Sequence, residues 1–160
     1  MNKRLFLLIA FLALAFMAIK NFQVQARLEQ TLLSGWAKLT NHKDPGKCIT
    51  PDRLRICWDR ASAIQIETND PRLTGEASFV FDSFTTKVPY TERVKGDFRL
   101  DNGGGSWVGT WQGSTAAQGY TLFTAQGKGS GDYEGLAVRW QMERSNSNWW
   151  EPMRVSGTID

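Results

Sequence analysis

Tryptophan offers the most binding chemistry in this chain of 160 residues, which contains seven of them. Trp107, Trp111 and Trp140 stand at alternating positions in segments where apolar and polar residues alternate. An indole ring buries a large apolar area and also donates a hydrogen bond through its N–H group. Together with Tyr120, these residues predict a cavity that binds a small hydrophobic or aromatic ligand. The alternative is that the rings only fill a core.

Two further tryptophans are adjacent. Trp149 and Trp150 follow the polar residues 145–148 and precede Glu151 and Pro152, so we expect a loop. Indoles at a loop tip either cap a ligand site or contact a glycan, a membrane interface or a protein. They predict an interaction module as the alternative to ligand binding.

Catalytic residues are not indicated. The only histidine, His42, lies in a polar, turn-rich stretch typical of the surface, and no nucleophile-elbow sequence accompanies it. Asp132 and Glu134 flank Tyr133 in a glycine-rich bend, where carboxylates are usually solvated. Residues 127–131 lack the Gly-Lys-Ser/Thr order of a phosphate loop. We assign no catalytic residue.

The amino-terminal residues have the architecture of a signal peptide. Lys3 and Arg4 supply a positive start, residues 5–19 are uninterruptedly apolar, and small residues precede Arg27. We predict cleavage before Arg27, which removes residues 1–26 and exports the protein to the periplasm or the cell exterior. The alternative is an uncleaved helix that anchors the chain, although the apolar run is shorter than the roughly 20 residues of a spanning helix.

Export makes a disulfide the expected state of the two cysteines. Cys48 and Cys57 lie close in sequence, and exported proteins meet compartments where disulfides persist. We predict that they pair, the alternative being two separately buried thiols. One histidine and two cysteines do not supply a tetrahedral set of ligands, so we predict neither a metal site nor a cofactor.

The net charge of +3 resides in the leader. The chain has 19 basic and 16 acidic residues, and residues 1–26 contain three of the basic residues and no carboxylate. The remaining chain is therefore neutral, with no broad attraction for phosphate backbones or anionic lipids. We expect no nucleic-acid partner and membrane contact only through an uncleaved leader. The oligomeric state is not indicated.

The spacing of apolar residues differs between two segments of the predicted mature chain. Between residues 27 and 39, apolar residues recur at nearly helical spacing, which predicts a short helix. From residue 61 the period becomes two, and Gly, Asn and Ser turns separate about seven or eight strands. We predict one domain over 27–160, with an N-terminal segment over 27–60 that carries the short helix and the disulfide loop. The core over 61–160 is all-β.

An antiparallel barrel is the preferred arrangement, and a sandwich is the alternative. Glycines within the strands, such as Gly96 and Gly157, allow the coiling that a small barrel requires.

A family resemblance lies in glycine and aromatic positions. Its main motif is Gly-Ser-Gly-Asp-Tyr-Glu-Gly-Leu at residues 129–136, accompanied by residues 70–75, 107–111 and 157–159. The chain resembles a group of small uncharacterised exported bacterial proteins, and the motif is similar to one in the allene oxide cyclase and dirigent-like β-barrels. The resemblance implies an eight-stranded barrel with a central cavity. It carries over no catalytic residue, because no ionisable position matches.

Three functions follow, in order of preference. The first is a non-catalytic exported barrel that binds a small apolar ligand. The second is a structural or interaction module that uses Trp149 and Trp150. The third is a barrel-family isomerase or cyclase, which requires an ionisable side chain that faces the cavity.

Overall fold

The fold consists of antiparallel β-strands. The computed structural model describes residues 30–87, 90–146, 148 and 151–160, and the compact unit that forms the fold spans Leu32–Ile159. The strands are β1 Thr31–Asp44, β2 Lys47–Ile49, β3 Leu54–Thr68, β4 Gly75–Lys87, β5 Tyr90–Asp101, β6 Gly105–Ala116, β7 Thr121–Gly131, β8 Ala137–Arg144 and β9 Met153–Ile159. A 3-10 helix, Pro71–Leu73, lies between β3 and β4. The predicted signal helix lies outside the described residues.

The sheet closes in a ring. Its strand order is β1-β9-β8-β7-β6-β5-β4-β3-β2, and β1 also pairs with β3. Eight strands therefore form the ring, and the short β2 pairs with the first part of β3. The predicted all-β class is confirmed. The ring also contains β1 and all of β3, which extend into the segment predicted over 27–60.

The short helix predicted between residues 27 and 39 is wrong over its described part, because β1 begins at Thr31. Ala37 and Leu39 are buried, whereas Leu32 is 71% exposed. Ala37 pairs with the fully buried Ile66 of β3. The apparent helical stripe combined residues from both faces of a strand, and pairing across the sheet overrides local helix propensity.

Aromatic rings fill the middle of the ring. Trp107, Trp111 and Trp140 are only 0%, 5% and 3% exposed, so the predicted inward face of these indoles is confirmed. Trp111 packs edge-on against Phe79 and Phe81, with centroids 4.9 Å and 5.1 Å away. Edge-to-face contacts of this kind add to the stability gained by burying the rings.

Large and small residues alternate around the ring at the level of Trp111. Neighbouring strands contribute, in register, Phe81, Gly96, Trp111, Ala125, Trp140 and Gly157. A Cβ atom at Gly96 would lie 2.0 Å from the carbonyl oxygen of Val80. Glycine is therefore required where the strands approach each other closely beside a bulky indole.

One end of the ring, the closed end, is covered by the segment around the 3-10 helix. Leu73 is fully buried there, and the Trp107 indole donates a 2.7 Å hydrogen bond to the carbonyl of Arg72. Tyr133 stacks on Trp107 and donates a 2.6 Å hydrogen bond to the side chain of Asn102. Buried polar groups are thus satisfied while the apolar rings stay covered.

The disulfide lies near the other end. Cys48 of β2 stands directly opposite Cys57 of β3, with Cα atoms 4.1 Å apart, and the two cysteines are bonded as predicted. The bond fixes β2 to β3 in a hairpin that has little other packing, since Lys47–Ile49 are all exposed.

Candidate functional site

A cavity of about 300 Å³ opens at the end of the ring opposite the closed end. We call it the mouth cavity. Its apolar lining comes from the inner faces of seven strands, and six of its members are Ile64, Phe79, Phe81, Val94, Trp111 and Phe123. This volume lies at the lower end of the range for small-molecule sites.

Ionisable side chains share this cavity with the apolar lining. Strands β1, β3, β5 and β8 contribute His42, Arg55, Arg60, Tyr90, Glu92 and Arg144. The lining therefore carries three guanidinium groups and one carboxylate. The cavity combines an apolar floor with a cationic mouth, which suits a ligand with both apolar and polar parts.

A β-bulge in β3 turns Arg60 inward. Cys57 and Arg60 both lie opposite inward-facing residues of β4, so two β3 residues between them face one residue, Asp82. The second of these, Asp59, adopts φ 56°, and its N–H donates to the Asp82 carboxylate at 3.3 Å. A bulge shifts the alternation by one position, which sends both Cys57 and Arg60 to the inner face.

Arg60 forms an ion pair with Glu92 on the cavity wall. Its Nη1 donates to Oε1 of Glu92 at 2.8 Å and to Oγ of Ser83 at 3.0 Å. The Arg60 and Glu92 side chains are only 21% and 13% exposed. The guanidinium also lies over the Phe81 ring, 5.0 Å from its centroid. Among the described residues, Nε and Nη2 of Arg60 donate no hydrogen bond.

A second bulge, in β1, brings His42 to the cavity. Leu39 pairs with Ile64 and Asn41 with Ala63, so Thr40 is the extra residue. His42 then pairs with the buried Ser62, and its Nδ1 lies 3.4 Å from the Ser62 hydroxyl. This histidine, which the sequence places in a polar turn, therefore lies at the rim of a cavity.

Arg144 closes the wall on the β8 side. It is buried and donates to the carbonyl oxygens of Asn146 and Asn148 at 3.0 Å and 2.6 Å, which holds these two residues beside the end of β8. Burial lowers the pKa of the Arg144 guanidinium, and the Glu151 carboxylate raises it by a smaller amount. Low water access at this wall strengthens any charge interaction made there.

Tyr90 lies at the start of β5, two residues before Glu92. Burial raises the pKa of the Tyr90 phenol, and the negative charge of Glu92 raises it further. The phenol therefore stays protonated at neutral pH, so that it can donate a hydrogen bond into the cavity.

The predicted ligand-binding residues occupy different places. Trp111 lines the mouth cavity, Trp140 is part of the core at the same level of the ring but does not line the cavity, and Trp107 belongs to the closed end. Tyr120 is exposed in the turn before β7 and does not line the cavity. Trp149 and Trp150 lie outside the described residues. Contact of any of them with a ligand stays a prediction.

Sequence reasoning missed the ionisable lining, although part of it had a signal. Tyr90 and Glu92 lie an even number of residues from the inward-facing Val94, and Arg144 lies two residues from the inward-facing Met142. Extending the predicted alternation along these strands would therefore have placed all three side chains on the inner face. Arg60 had no such signal, because the bulge that turns it inward interrupts the alternation.

A larger hollow of about 790 Å³ lies on the outer face of β4–β9. It is open to solvent, and its charged side chains, Asp82, Lys95, Asp97 and Arg139, are balanced in sign. Solvated groups of this kind are the ordinary outer surface of a sheet. The mouth cavity, enclosed by the ring, is the stronger candidate.

Within residues 30–87, 90–146, 148 and 151–160, no group of three or more His, Cys, Asp or Glu side chains could hold a metal ion. No helix in the same part of the chain is long and apolar enough to cross a bilayer. Comparisons with family models, curated proteins and solved structures find no match for the chain. The fold and the cavity define an all-β protein whose closed antiparallel sheet encloses an amphipathic pocket.

Proposed function

We propose that the protein is an exported, non-catalytic β-barrel that binds a small hydrophobic or aromatic ligand in the mouth cavity. One observation carries this proposal: the ring encloses a cavity of about 300 Å³ with an aromatic floor, whereas aromatic side chains fill the middle of the ring. The disulfide agrees with export, because such bonds persist in oxidising compartments.

The floor of the cavity favours an apolar ligand. Phe81 and Phe123 each pack edge-on against Trp111, with centroids 5.1 Å and 5.2 Å away, and all three residues line the cavity. Water against such surfaces is displaced favourably, at roughly 25 cal/mol per Å² of apolar area removed from water. A flat ring or a short branched chain matches this lining.

Tryptophan fluorescence provides the test, because Trp111 lines the cavity. We expect an aromatic probe such as 2-naphthol to quench the emission saturably, with complex formation confirmed by native mass spectrometry. Filling the cavity by Val94→Trp should weaken binding by at least about tenfold, since Val94 is buried on the lining.

Val80→Trp is the matched control. Val80 is exposed on the outer face of β4, so an indole there leaves the cavity unchanged and binding should keep its affinity. Equal loss of binding in both variants, or no saturable binding by a panel of apolar probes, would overturn the proposal.

An isomerase or cyclase is the second candidate, favoured by ionisable groups on the lining. Glu92 is a largely buried carboxylate, and Tyr90 is a phenol on the same lining that is 40% exposed, so the cavity holds an acceptor and a donor of protons. Glu92→Gln should then abolish conversion of a bound compound without abolishing its binding. Recovery of every bound compound unchanged after incubation would remove this candidate.

An interaction module built on Trp149 and Trp150 stays a prediction from the sequence. Its test is a Trp149→Ala, Trp150→Ala double variant, which should lose glycan or protein binding while naphthol binding is kept.

A further inference from the structure

Two side chains on the lining of the mouth cavity have hydrogen-bond donors that no described residue accepts. Arg60 uses only Nη1 within the described residues, so its Nε and Nη2 remain as donors. Trp111 is also on the lining, and its buried Nε1 has no acceptor in the same part of the chain. The Trp111 Nε1 is buried and buried donors normally have acceptors, whereas the two Arg60 nitrogens are open to the cavity, so both can donate to a ligand that supplies oxygen atoms.

The net charge of the lining also favours a ligand that supplies oxygen atoms. Arg55, Arg60 and Arg144 bring three positive charges, and Glu92 brings the single negative charge. An apolar floor beneath these groups lowers the local dielectric and strengthens their attraction for an anion. Solvent alone would satisfy such cations at an open surface, but the Arg60 side chain is largely buried.

We propose that the ligand is a small carboxylic acid, bound as its anion, with an aromatic or short branched body on the floor and its carboxylate at Arg60. This rests on the proposed ligand-binding function and names the class of ligand. A guanidinium presents its N–H groups in a planar fork that matches a carboxylate, and two of the Arg60 nitrogens are available for this contact.

The size and the existing ion pair restrict the ligand further. A cavity of about 300 Å³ suits one or two fused rings rather than a long acyl chain. Glu92 already neutralises part of the charge at Arg60, with 2.8 Å between the two groups. Because Arg60 carries a single charge that Glu92 partly offsets, one carboxylate is sufficient to balance the charge that remains at this residue.

Calorimetry with two probes of the same shape tests the proposal. We expect 2-naphthoate to bind at least about tenfold more tightly than 2-naphthamide, because charge-assisted hydrogen bonds are stronger than neutral ones. Arg60→Met should remove this preference, so that the acid and the amide bind with affinities within about twofold of each other. Arg99→Met is the control, since Arg99 is exposed and pairs with Asp101.

Glu92→Gln provides a second variant in case Arg60→Met does not fold. It removes the repulsion between Glu92 and the ligand, so naphthoate should bind several-fold more tightly and its preference over the amide should increase. Equal affinities for acid and amide, or no gain in Glu92→Gln, would overturn the anion while leaving apolar binding intact. Failure of both probes to bind would overturn the proposed function as well.

Discussion

The guanidinium of Arg60 and the carboxylate of Glu92 meet across the inner surface of β4, with 2.8 Å between Nη1 and Oε1. They come from β3 and β5, which are not neighbours in the sheet. The pair therefore joins two strands that share no backbone hydrogen bonds, and it does so on the wall of the mouth cavity. Both charges lose most of their water, a cost that their attraction must offset.

Removal of one partner should cost more than removal of both. We expect Glu92→Met to destabilise the protein by about 2 to 4 kcal/mol, since it leaves a largely buried cation without its carboxylate. Arg60→Met combined with Glu92→Met should recover most of this loss. Urea unfolding of the two single variants and the double variant measures the coupling, and additive losses would contradict it.

The disulfide should account for a substantial part of the stability. A double variant, Cys48→Ser with Cys57→Ala, should lose about 2 to 3 kcal/mol, because the bond closes a short loop in the unfolded chain. Alanine suits position 57 since Cys57 is buried. Urea unfolding measures the loss. If neither the substitutions nor added reductant changes the urea midpoint, the disulfide does not have this role.

An ion pair at the closed end should make the free energy of unfolding depend on pH. The hydrogen bond from Arg72 lowers the pKa of Asp70 below its ordinary value of 3.8, and the two groups lie 2.6 Å apart. A depressed folded pKa stabilises the protein above the unfolded pKa, and this contribution is lost as the pH falls through the folded pKa.

Asp70→Asn should therefore destabilise by about 1 to 2 kcal/mol at about pH 7, and the difference from the original chain should narrow towards about pH 2. Urea unfolding across this range tests the sign. Asparagine keeps an oxygen for the N–H of Arg72, so capping of the 3-10 helix is preserved. A difference that is independent of pH would indicate that the charge has no role.

Gly96 should not tolerate a methyl group. Gly96→Ala would place a Cβ 2.0 Å from the Val80 carbonyl oxygen, which forces the backbone of two strands apart. We expect a loss of about 1 to 3 kcal/mol in urea unfolding. Lys95→Ala, at the neighbouring position on the outer face, should change stability by less than about 0.5 kcal/mol. Similar losses at the two positions would contradict the steric explanation.

Export predicts a defined mature terminus. Expression of the full chain in a bacterium should yield a protein that begins at Arg27 in the periplasm or the medium, because residues 1–26 have the pattern of a cleaved signal peptide. Intact-mass spectrometry of the fractions gives the terminus. A protein that retains Met1 in the membrane fraction would support the uncleaved anchor instead.

The fold was predictable to the extent that strands alternate regularly. The two-residue period of β6 and β8 correctly placed Trp107, Trp111 and Trp140 inside. In β1, large apolar residues lie on both faces, since Leu32 and Trp36 point outward. The resulting spacing of apolar residues resembles that of an amphipathic helix. Pairing with β3, which only the folded chain supplies, resolves that ambiguity.

The candidate site was less predictable, because two bulges build it. Alternation within β3 is shifted at Asp59, and alternation within β1 is shifted at Thr40. Each shift exchanges the inner and outer faces, which brings Arg60 and His42 to the cavity. A bulge depends on the pairing of two strands, so neither strand alone reveals it.

The indole resonance of Trp111 offers the most direct measurement of ligand binding in the mouth cavity. In a two-dimensional ¹H–¹⁵N spectrum, assigned with Trp111→Phe and Trp107→Phe variants, saturation with 2-naphthoate should shift the Trp111 signal. The Trp107 signal, from the closed end, should stay in place. A spectrum in which Trp111 does not respond, or in which only Trp107 does, would contradict a ligand site at this end of the ring.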